Sequence, residues 1–254
     1  MVFIASLQSV VSGQPYVRRR DLWTWPGLTG ASLARIRLSG LTVAMRALVV
    51  ANGEPPSGDL LHRLAETADL IVAADGGAII ALDAGITPDA VVGDLDSLPA
   101  RLALSLPPER LHRVSELDTT DLQKAITFAI ARGATQVDIA AAGGGRADHA
   151  LANLSVLVTF RGRTGIRIHD DLFEISLVDG MATIDAPPGT LISLVAIGPC
   201  EGVTTSGMRW DLYDFTLTFS PRGVHNEVAD TPATISVRTG DLLLFRGRWV
   251  ERHA

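Results

Sequence analysis

The chain holds 254 residues, 47% of them hydrophobic, and carries a formal net charge of −6. That length allows one large domain or two modest ones, with apolar content ample for a packed core. The acidic balance excludes a non-specific nucleic-acid surface, which needs clustered basic residues, and no uninterrupted apolar run approaches the roughly 18 residues of a membrane helix. The single cysteine, Cys200, admits no intrachain disulfide and fits a reducing, cytoplasmic setting.

Residues 1–44 differ from the rest. Arg18, Arg19, Arg20, Arg35 and Arg37 face one acid, Asp21, and scattered Gly and Pro break any periodicity. Such a leader reads as a targeting or disordered arm, or as an extension translated from an upstream start codon. Met45 directly precedes the first strand-like run, so the functional chain is expected to begin near it.

From Arg46 the pattern is regular. Ala47 to Ala51 predicts a buried strand closed by Asn52-Gly53. Gly58 to Ala68 sets Leu60, Leu61 and Leu64 at helical spacing, and Leu70 to Ala74 is a second strand ending in Asp75-Gly76-Gly77. A helix over Ala78 to Ala84 and strands over Ala90 to Val92 and Leu111 to Val114 follow. Then come a helix over Thr120 to Ala131, a strand over Gln136 to Ala141 and a helix over Ala147 to Phe160. Strands alternating with helices predict a parallel sheet covered on both faces, whose post-strand turns converge on one edge.

Three of those turns carry candidate chemistry. In Val91 to Leu98, Asp94 and Asp96 are separated by one residue. If the strand persists they point the same way; if it turns at Gly93 they lie at its carboxyl end. Paired carboxylates suit a hard cation such as Mg²⁺, and the same residues also suit a polar turn. In the loop before the second long helix, Asp118 or Thr119 can cap the helix, Asp121 faces the sheet edge, and Lys124 either reaches a phosphate or is solvated. In Ala142 to His149, three contiguous glycines, Gly143, Gly144 and Gly145, precede Arg146, Asp148 and His149. Backbone donors, a helix start and a guanidinium have the form of a phosphate cradle, although neither the Walker A pattern nor GxGxxG is present. His149 reads as a cap or core residue, and Asn153 is placed to line the same face.

Beyond Arg161 the period changes to short strands punctuated by Asp179-Gly180, Pro187-Pro188-Gly189 and Thr239-Gly240, predicting an all-β unit, sandwich or barrel. The boundary falls between 163 and 164, giving an α/β part over 45–163 and a β part over 164–254. Within the latter, Trp210 reads either as a stacking surface for a flat heterocycle or as core.

Taken in order, ADGGA at Ala74 to Ala78, GDLDS at Gly93 to Ser97, DTTDLQKA at Asp118 to Ala125, GGGRADHALANL at Gly143 to Leu154 and VTTSGMRWDL at Val203 to Leu212 resemble the thiamine pyrophosphokinase family. The resemblance implies a Rossmann-like parallel α/β/α catalytic domain, a C-terminal β-sandwich, and a homodimer with sites at the subunit interface. It implies transfer of diphosphate from ATP to the hydroxyl of thiamine, with no nucleic-acid or membrane partner. Asp94, Asp96 and Asp121 would hold Mg²⁺, and these three with Arg146 and Asp148 would form the catalytic set. Asp75, Gly76, Gly77, Asp118, Thr120, Lys124, Gly143, Gly144, Gly145 and Arg146 would handle ATP. Ser206, Trp210 and Asn226 would hold thiamine, with SPRGVHNE at Ser220 to Glu227 an imperfect match to the family's late element. Asp118, Asp121 and Asp148 are the candidate bases. The competing readings are a pyrophosphokinase of the same fold acting on a pterin-like alcohol, and a non-catalytic nucleotide-binding module.

Overall fold

The computed structural model describes residues 44–250; the expectation for the leader therefore falls, but for Ala44, outside the described residues. The predicted apolar runs form β1 (Arg46–Val50), β2 (Leu70–Ala74), β3 (Ala90–Gly93), β4 (Leu111–Arg113), β5 (Gln136–Ala140) and β6 (Gly165–His169). These six pair in parallel in the order β6-β5-β1-β2-β3-β4. Between them run α1 (Gly58–Thr67), α2 (Gly77–Asp83), α3 (Ala100–Ser105), α4 (Asp121–Ala131), α5 (Ala147–Leu154) and α6 (Val156–Thr159).

Alternation along β1 explains the layering. Val49 joins a core with Leu122 and Ile126 of α4 and Leu157 of α6. Its neighbours Leu48 and Val50 face the other way, toward Leu60, Leu61 and Leu64 of α1. Successive residues of a strand point to opposite faces, so an uninterrupted apolar strand needs cover on both. The expected α/β/α arrangement follows.

The second half supplies β7 (Phe173–Leu177), β8 (Met181–Ile184), β9 (Thr190–Ala196), β10 (Cys200–Ser206), β11 (Phe215–Leu217), β12 (Asn226–Glu227), β13 (Ala233–Ser236) and β14 (Leu242–Val250). Four of these extend the first sheet, giving ten strands in the order β12-β9-β14-β7-β6-β5-β1-β2-β3-β4. The others form a four-stranded sheet, β11-β10-β13-β8. Leu242 and Leu244 of β14 pack with Val203, Leu217 and Ile235, while Leu243 between them enters the α/β core. The β half is thus a sandwich, and one of its sheets is the continuation of the α/β sheet. β6 pairs in parallel with β5 and antiparallel with β7, so the sheet changes character near residue 164 without a break.

Three elements differ from the sequence reading. The helix expected over Ala147 to Phe160 is divided at Ser155, whose N–H donates back to Ala152 O at 3.0 Å. Helix α3 buries no residue and therefore leaves no amphipathic trace. Strand β10 is hidden by an irregularity in its pairing between Cys200 and Val203, where Gly202 has φ +67°. Cys200, Val203 and Thr205 are the buried positions, so the bulge breaks the two-residue period.

Candidate active site

β2 and β3 are adjacent and parallel, so the turns that follow them emerge side by side on the carboxyl edge. Strand β3 stops at Gly93, and Leu95 takes φ +64°. That settles the two alternatives for Asp94 and Asp96: they share a turn, with Asp96 N–H donating to Asp94 Oδ1 at 3.1 Å. Asp75, itself at φ +44°, completes the group. One carboxylate oxygen from each of Asp75, Asp94 and Asp96 lies within 4.8 Å of the others. Asp75 is 3% exposed, and its Oδ1 has no hydrogen-bond partner among the described residues. Burial, then the charges of Asp121 and Asp94, push its carboxyl above the usual range, and the Ser97 hydroxyl acts in the opposite sense.

Asp121 enters from the first turn of α4. A Cβ on Gly93 would lie 2.8 Å from Asp75 Cβ and 3.1 Å from Asp121 Oδ1, so the glycine is what lets these two carboxylates close over the end of β3. Asp121 Oδ1 also accepts from Lys124 Nζ at 3.0 Å, and the Lys124 side chain is buried. The Lys124 ammonium is therefore not a solvated surface charge; it is a counter-charge for the acidic cluster. The cap of α4 is Thr120, not Asp118 or Thr119. Its hydroxyl accepts from Gln123 N–H at 3.3 Å, and Gln123 Oε1 accepts from Thr120 N–H at 3.0 Å, a capping box. Asp118 lies exposed in the preceding loop.

The glycine loop leaves β5 through Ala141 at φ +58° and turns at Gly144 and Gly145, φ +72° and +60°. Asn153 Nδ2 holds it by donating to Ala142 O at 2.8 Å. Arg146 forks onto Asp148, Nε to Oδ1 at 3.1 Å and Nη2 to Oδ2 at 2.6 Å, with both side chains largely exposed. That bidentate bond holds the Asp148 carboxyl down at about 2. His149 is exposed at the start of α5, which removes the core reading.

The turns are joined into one floor. Gly53 N–H donates to Ala141 O at 2.7 Å and Glu54 N–H to Gly143 O at 2.8 Å. Next, a Cβ on Gly76 would meet the Asn52 side chain at 2.5 Å. The glycine loop, the β1 turn, Asp75-Gly76-Gly77 and the acidic turn thus touch in sequence along the edge.

The Trp210 segment lies elsewhere. Ser206 ends β10, exposed. Asp211 Oδ1 accepts from Thr205 Oγ1 at 3.0 Å and from Met208 N–H at 3.1 Å, folding the loop back. Trp210 is 53% exposed, so it is not core, and the Arg209 guanidinium lies 4.9 Å from its ring centroid. Asn226 accepts from Trp210 N–H at 3.2 Å and donates to Trp210 O at 2.8 Å, so its side chain positions the loop. Arg209 is tied to Glu227 at 2.7 Å, which fastens the loop to β12. β12 is eight strand steps from β3 in the ten-stranded sheet. At about 4.8 Å per step, the acidic turn and the Trp210 loop sit on anchors on the order of 35–40 Å apart.

Sequence reasoning put Asp75 with the nucleotide and missed its place beside Asp94 and Asp96. The signal was its position after the strand adjacent to β3, which is knowable only from strand order. It also passed over Glu54, Arg209 and Asp211, whose roles come from neighbours distant in sequence.

Fold and site together first define a class, an α/β group-transfer enzyme working at the carboxyl edge of a parallel sheet. The family profile described as thiamin pyrophosphokinase, catalytic domain, matches residues 61–169, and that described as thiamin pyrophosphokinase, vitamin B1 binding domain, matches 182–242. A thiamine pyrophosphokinase of Bacillus subtilis is 29% identical over 195 residues, covering 70% of this chain and 86% of the relative. Thiamine pyrophosphokinase 3 of Oryza sativa subsp. japonica is 27% identical over 229 residues, covering 78% and 84%. A crystal structure of thiamine pyrophosphokinase from Bacillus subtilis superposes with a TM-score of 0.70 at 27% identity, covering 80% of this chain and 98% of that one. The chain belongs to the thiamine pyrophosphokinase family.

Proposed function

We propose that this chain transfers diphosphate from ATP to the hydroxyl of thiamine, giving thiamine diphosphate and AMP. The observation that carries this is the carboxylate trio, with a buried unsatisfied Asp75 oxygen, on one floor with the glycine loop.

Attack on a β-phosphorus gathers negative charge between donor and acceptor, and catalysis is mainly positioning and neutralisation. Four carboxylates beside a triphosphate are tolerable only with added positive charge. An all-oxygen donor set with a partnerless buried carboxylate oxygen suits a hard divalent cation, Mg²⁺ above all. Asp75, Asp94 and Asp96 would hold it, with Asp121 adjoining; bound there, the cation would neutralise charge on the donor's phosphate oxygens. The Gly143–Gly145 backbone and Arg146 would orient the phosphate chain, and Lys124 would moderate the field of Asp121. Asp148, held at about 2 by Arg146, is a poor proton acceptor, leaving Asp118 and Asp121 as candidates for orienting the thiamine hydroxyl.

Thiamine carries a cationic ring, and the exposed face of Trp210 suits it. Because the Trp210 loop and the acidic turn are anchored far apart in one chain, we infer a homodimer in which one subunit's Trp210 and Ser206 complete the other's site. The exposed Tyr213, Phe219 and Val224 in the loops flanking Trp210 support an interface there. No helix among the described residues is long and apolar enough to cross a membrane, and buried, unpaired Cys200 suits the cytoplasm. The test is AMP release from ATP with Mg²⁺, comparing thiamine with a hydroxymethylpterin. Turnover with thiamine alone is expected; turnover with the pterin alone would overturn the acceptor.

A further inference from the structure

An indole has two faces, and one face of Trp210 is taken. The Arg209 guanidinium lies over the ring, 4.9 Å from its centroid. No aromatic ring packs against Trp210 among the described residues. With the ring 53% exposed, the face turned from Arg209 is the open one. We infer that Arg209 and Glu227 together set the charge specificity of this platform. Arg209 fixes the plane of the indole, and Glu227 cancels the guanidinium charge so that the open face accepts a cationic ring. The inference rests on thiamine being the acceptor and on Trp210 receiving it.

The construction starts from the backbone. Arg209 N–H donates to Glu227 O at 2.9 Å, and Met208 bridges Val228, both of them buried. Asn226 holds Trp210 through its N–H and its carbonyl, and Asn226 Oδ1 also accepts from Glu227 N–H at 2.9 Å. Two successive loop residues are thus pinned to two successive residues of β12. The side chains then add a second tie, Arg209 Nη1 to Glu227 Oε1 at 2.7 Å. A ring held in this way loses little freedom when a ligand lies on it.

The charge follows from the same tie. A cation stacked on the open face would lie roughly 8–9 Å from the guanidinium, which is the 4.9 Å already present plus a van der Waals contact. Two positive charges at that range repel, and a partly dry site screens them poorly. The Glu227 side chain is only 8% exposed, so its charge acts on Arg209 rather than being dispersed in water. The loop's other carboxylate, Asp211, is turned to Thr205 Oγ1 and Met208 N–H. A glutamine at 227 could accept the same hydrogen bond; the carboxylate supplies the countercharge as well.

The test measures KM and kcat at saturating Mg–ATP for thiamine and for deazathiamine, its neutral isostere with a thiophene in place of the thiazolium. Variants are Glu227→Gln, Arg209→Met and the double variant, with folding checked by circular dichroism. Glu227→Gln is expected to raise KM for thiamine by about fivefold and to leave the neutral isostere within about twofold. High salt should narrow that gap. Arg209→Met should shift the ratio of the two KM values the other way, toward the cation. The double variant should return the ratio to that of the wild type while raising both values by one factor, because the anchor is lost and no charge remains. If one single variant does not fold, the other carries the sign of the effect. Equal changes for both acceptors in the folded single variants, with wild-type turnover of thiamine intact, would overturn this inference alone. Failure of the wild type to turn over thiamine would sink the acceptor reading and this inference with it.

Discussion

Lys124 Nζ lies 3.0 Å from Asp121 Oδ1, one turn apart on α4, with the lysine side chain 7% exposed. A buried ammonium needs its partner. It also offsets the charge that Asp121 adds beside Asp75. Lys124→Met should lower stability by about 1–2 kcal/mol, discounted because Asp121 keeps some solvent. Urea unfolding of Lys124→Met and of the Lys124→Met/Asp121→Asn pair measures it. A single variant as stable as wild type would remove the role of the ion pair.

Asp75 titrates above the ordinary carboxylate range because it is buried beside Asp121 and Asp94. A folded-state pKa above the unfolded one means that the ionised form costs stability. That cost is full above the raised value, shrinks as pH falls through it, and is gone below the ordinary value of 3.8. Asp75→Asn should therefore raise the unfolding midpoint of the metal-free protein at pH 7, flatten its pH dependence in that window, and weaken Mg²⁺ binding. Thermal unfolding across pH, with and without Mg²⁺, reads all three. A midpoint lowered by Asp75→Asn would contradict the burial argument.

Asp94 and Asp96 share a turn fixed by the Asp96 N–H bond to Asp94 Oδ1, and both are at least partly exposed. Asp96→Asn should leave the fold intact and reduce kcat by about a hundredfold or more, the scale of removing a charge-stabilising group. Wild-type turnover in a folded Asp96→Asn protein would discard the cation assignment.

Asp148 is held at about 2 by the Arg146 fork, too weak a base to take a proton near neutrality. Asp148→Asn should lower kcat by less than about tenfold, whereas Arg146→Ala should raise KM for ATP by about tenfold or more. Steady-state kinetics separate the two. A thousandfold loss of kcat in Asp148→Asn would return it to the list of bases.

Trp210 is positioned by the two Asn226 hydrogen bonds and offers a half-exposed ring. Trp210→Ala should raise KM for thiamine by about tenfold and leave KM for ATP near wild type. Asn226→Ala should follow the same pattern more weakly, because it loosens the loop without touching the ring. Equal rises for both substrates would count against stacking.

Much of the fold was legible because short apolar strands and amphipathic helices write their periods into the sequence: Leu70–Ala74 lies at the predicted position, and Gln136–Ala140 within one residue of it. Strand β10 was not, because its bulge at Gly202 sets the buried residues Cys200, Val203 and Thr205 out of alternation. The capping box at Thr120 follows the local S/T-x-x-E/Q pattern, yet the neighbouring Asp118 and Thr119 offered rival caps, and only the path of the chain chose among them.

The candidate site divides in the same way. Its turns announced themselves as Asp and Gly clusters after strands, since backbone that leaves a parallel sheet abruptly needs residues tolerant of such geometry. By itself the sequence determined which side chains are available: carboxylates, a glycine-arginine loop and an indole. Tertiary structure alone decided which of them meet. Asp75 joins Asp94 because β2 lies beside β3; Glu54 overlies Gly144 because β1 lies beside β5; and Trp210 is kept from the acidic turn by the strands between. Strand order is fixed by packing and connection handedness over the whole sheet, and no local stretch of sequence contains it.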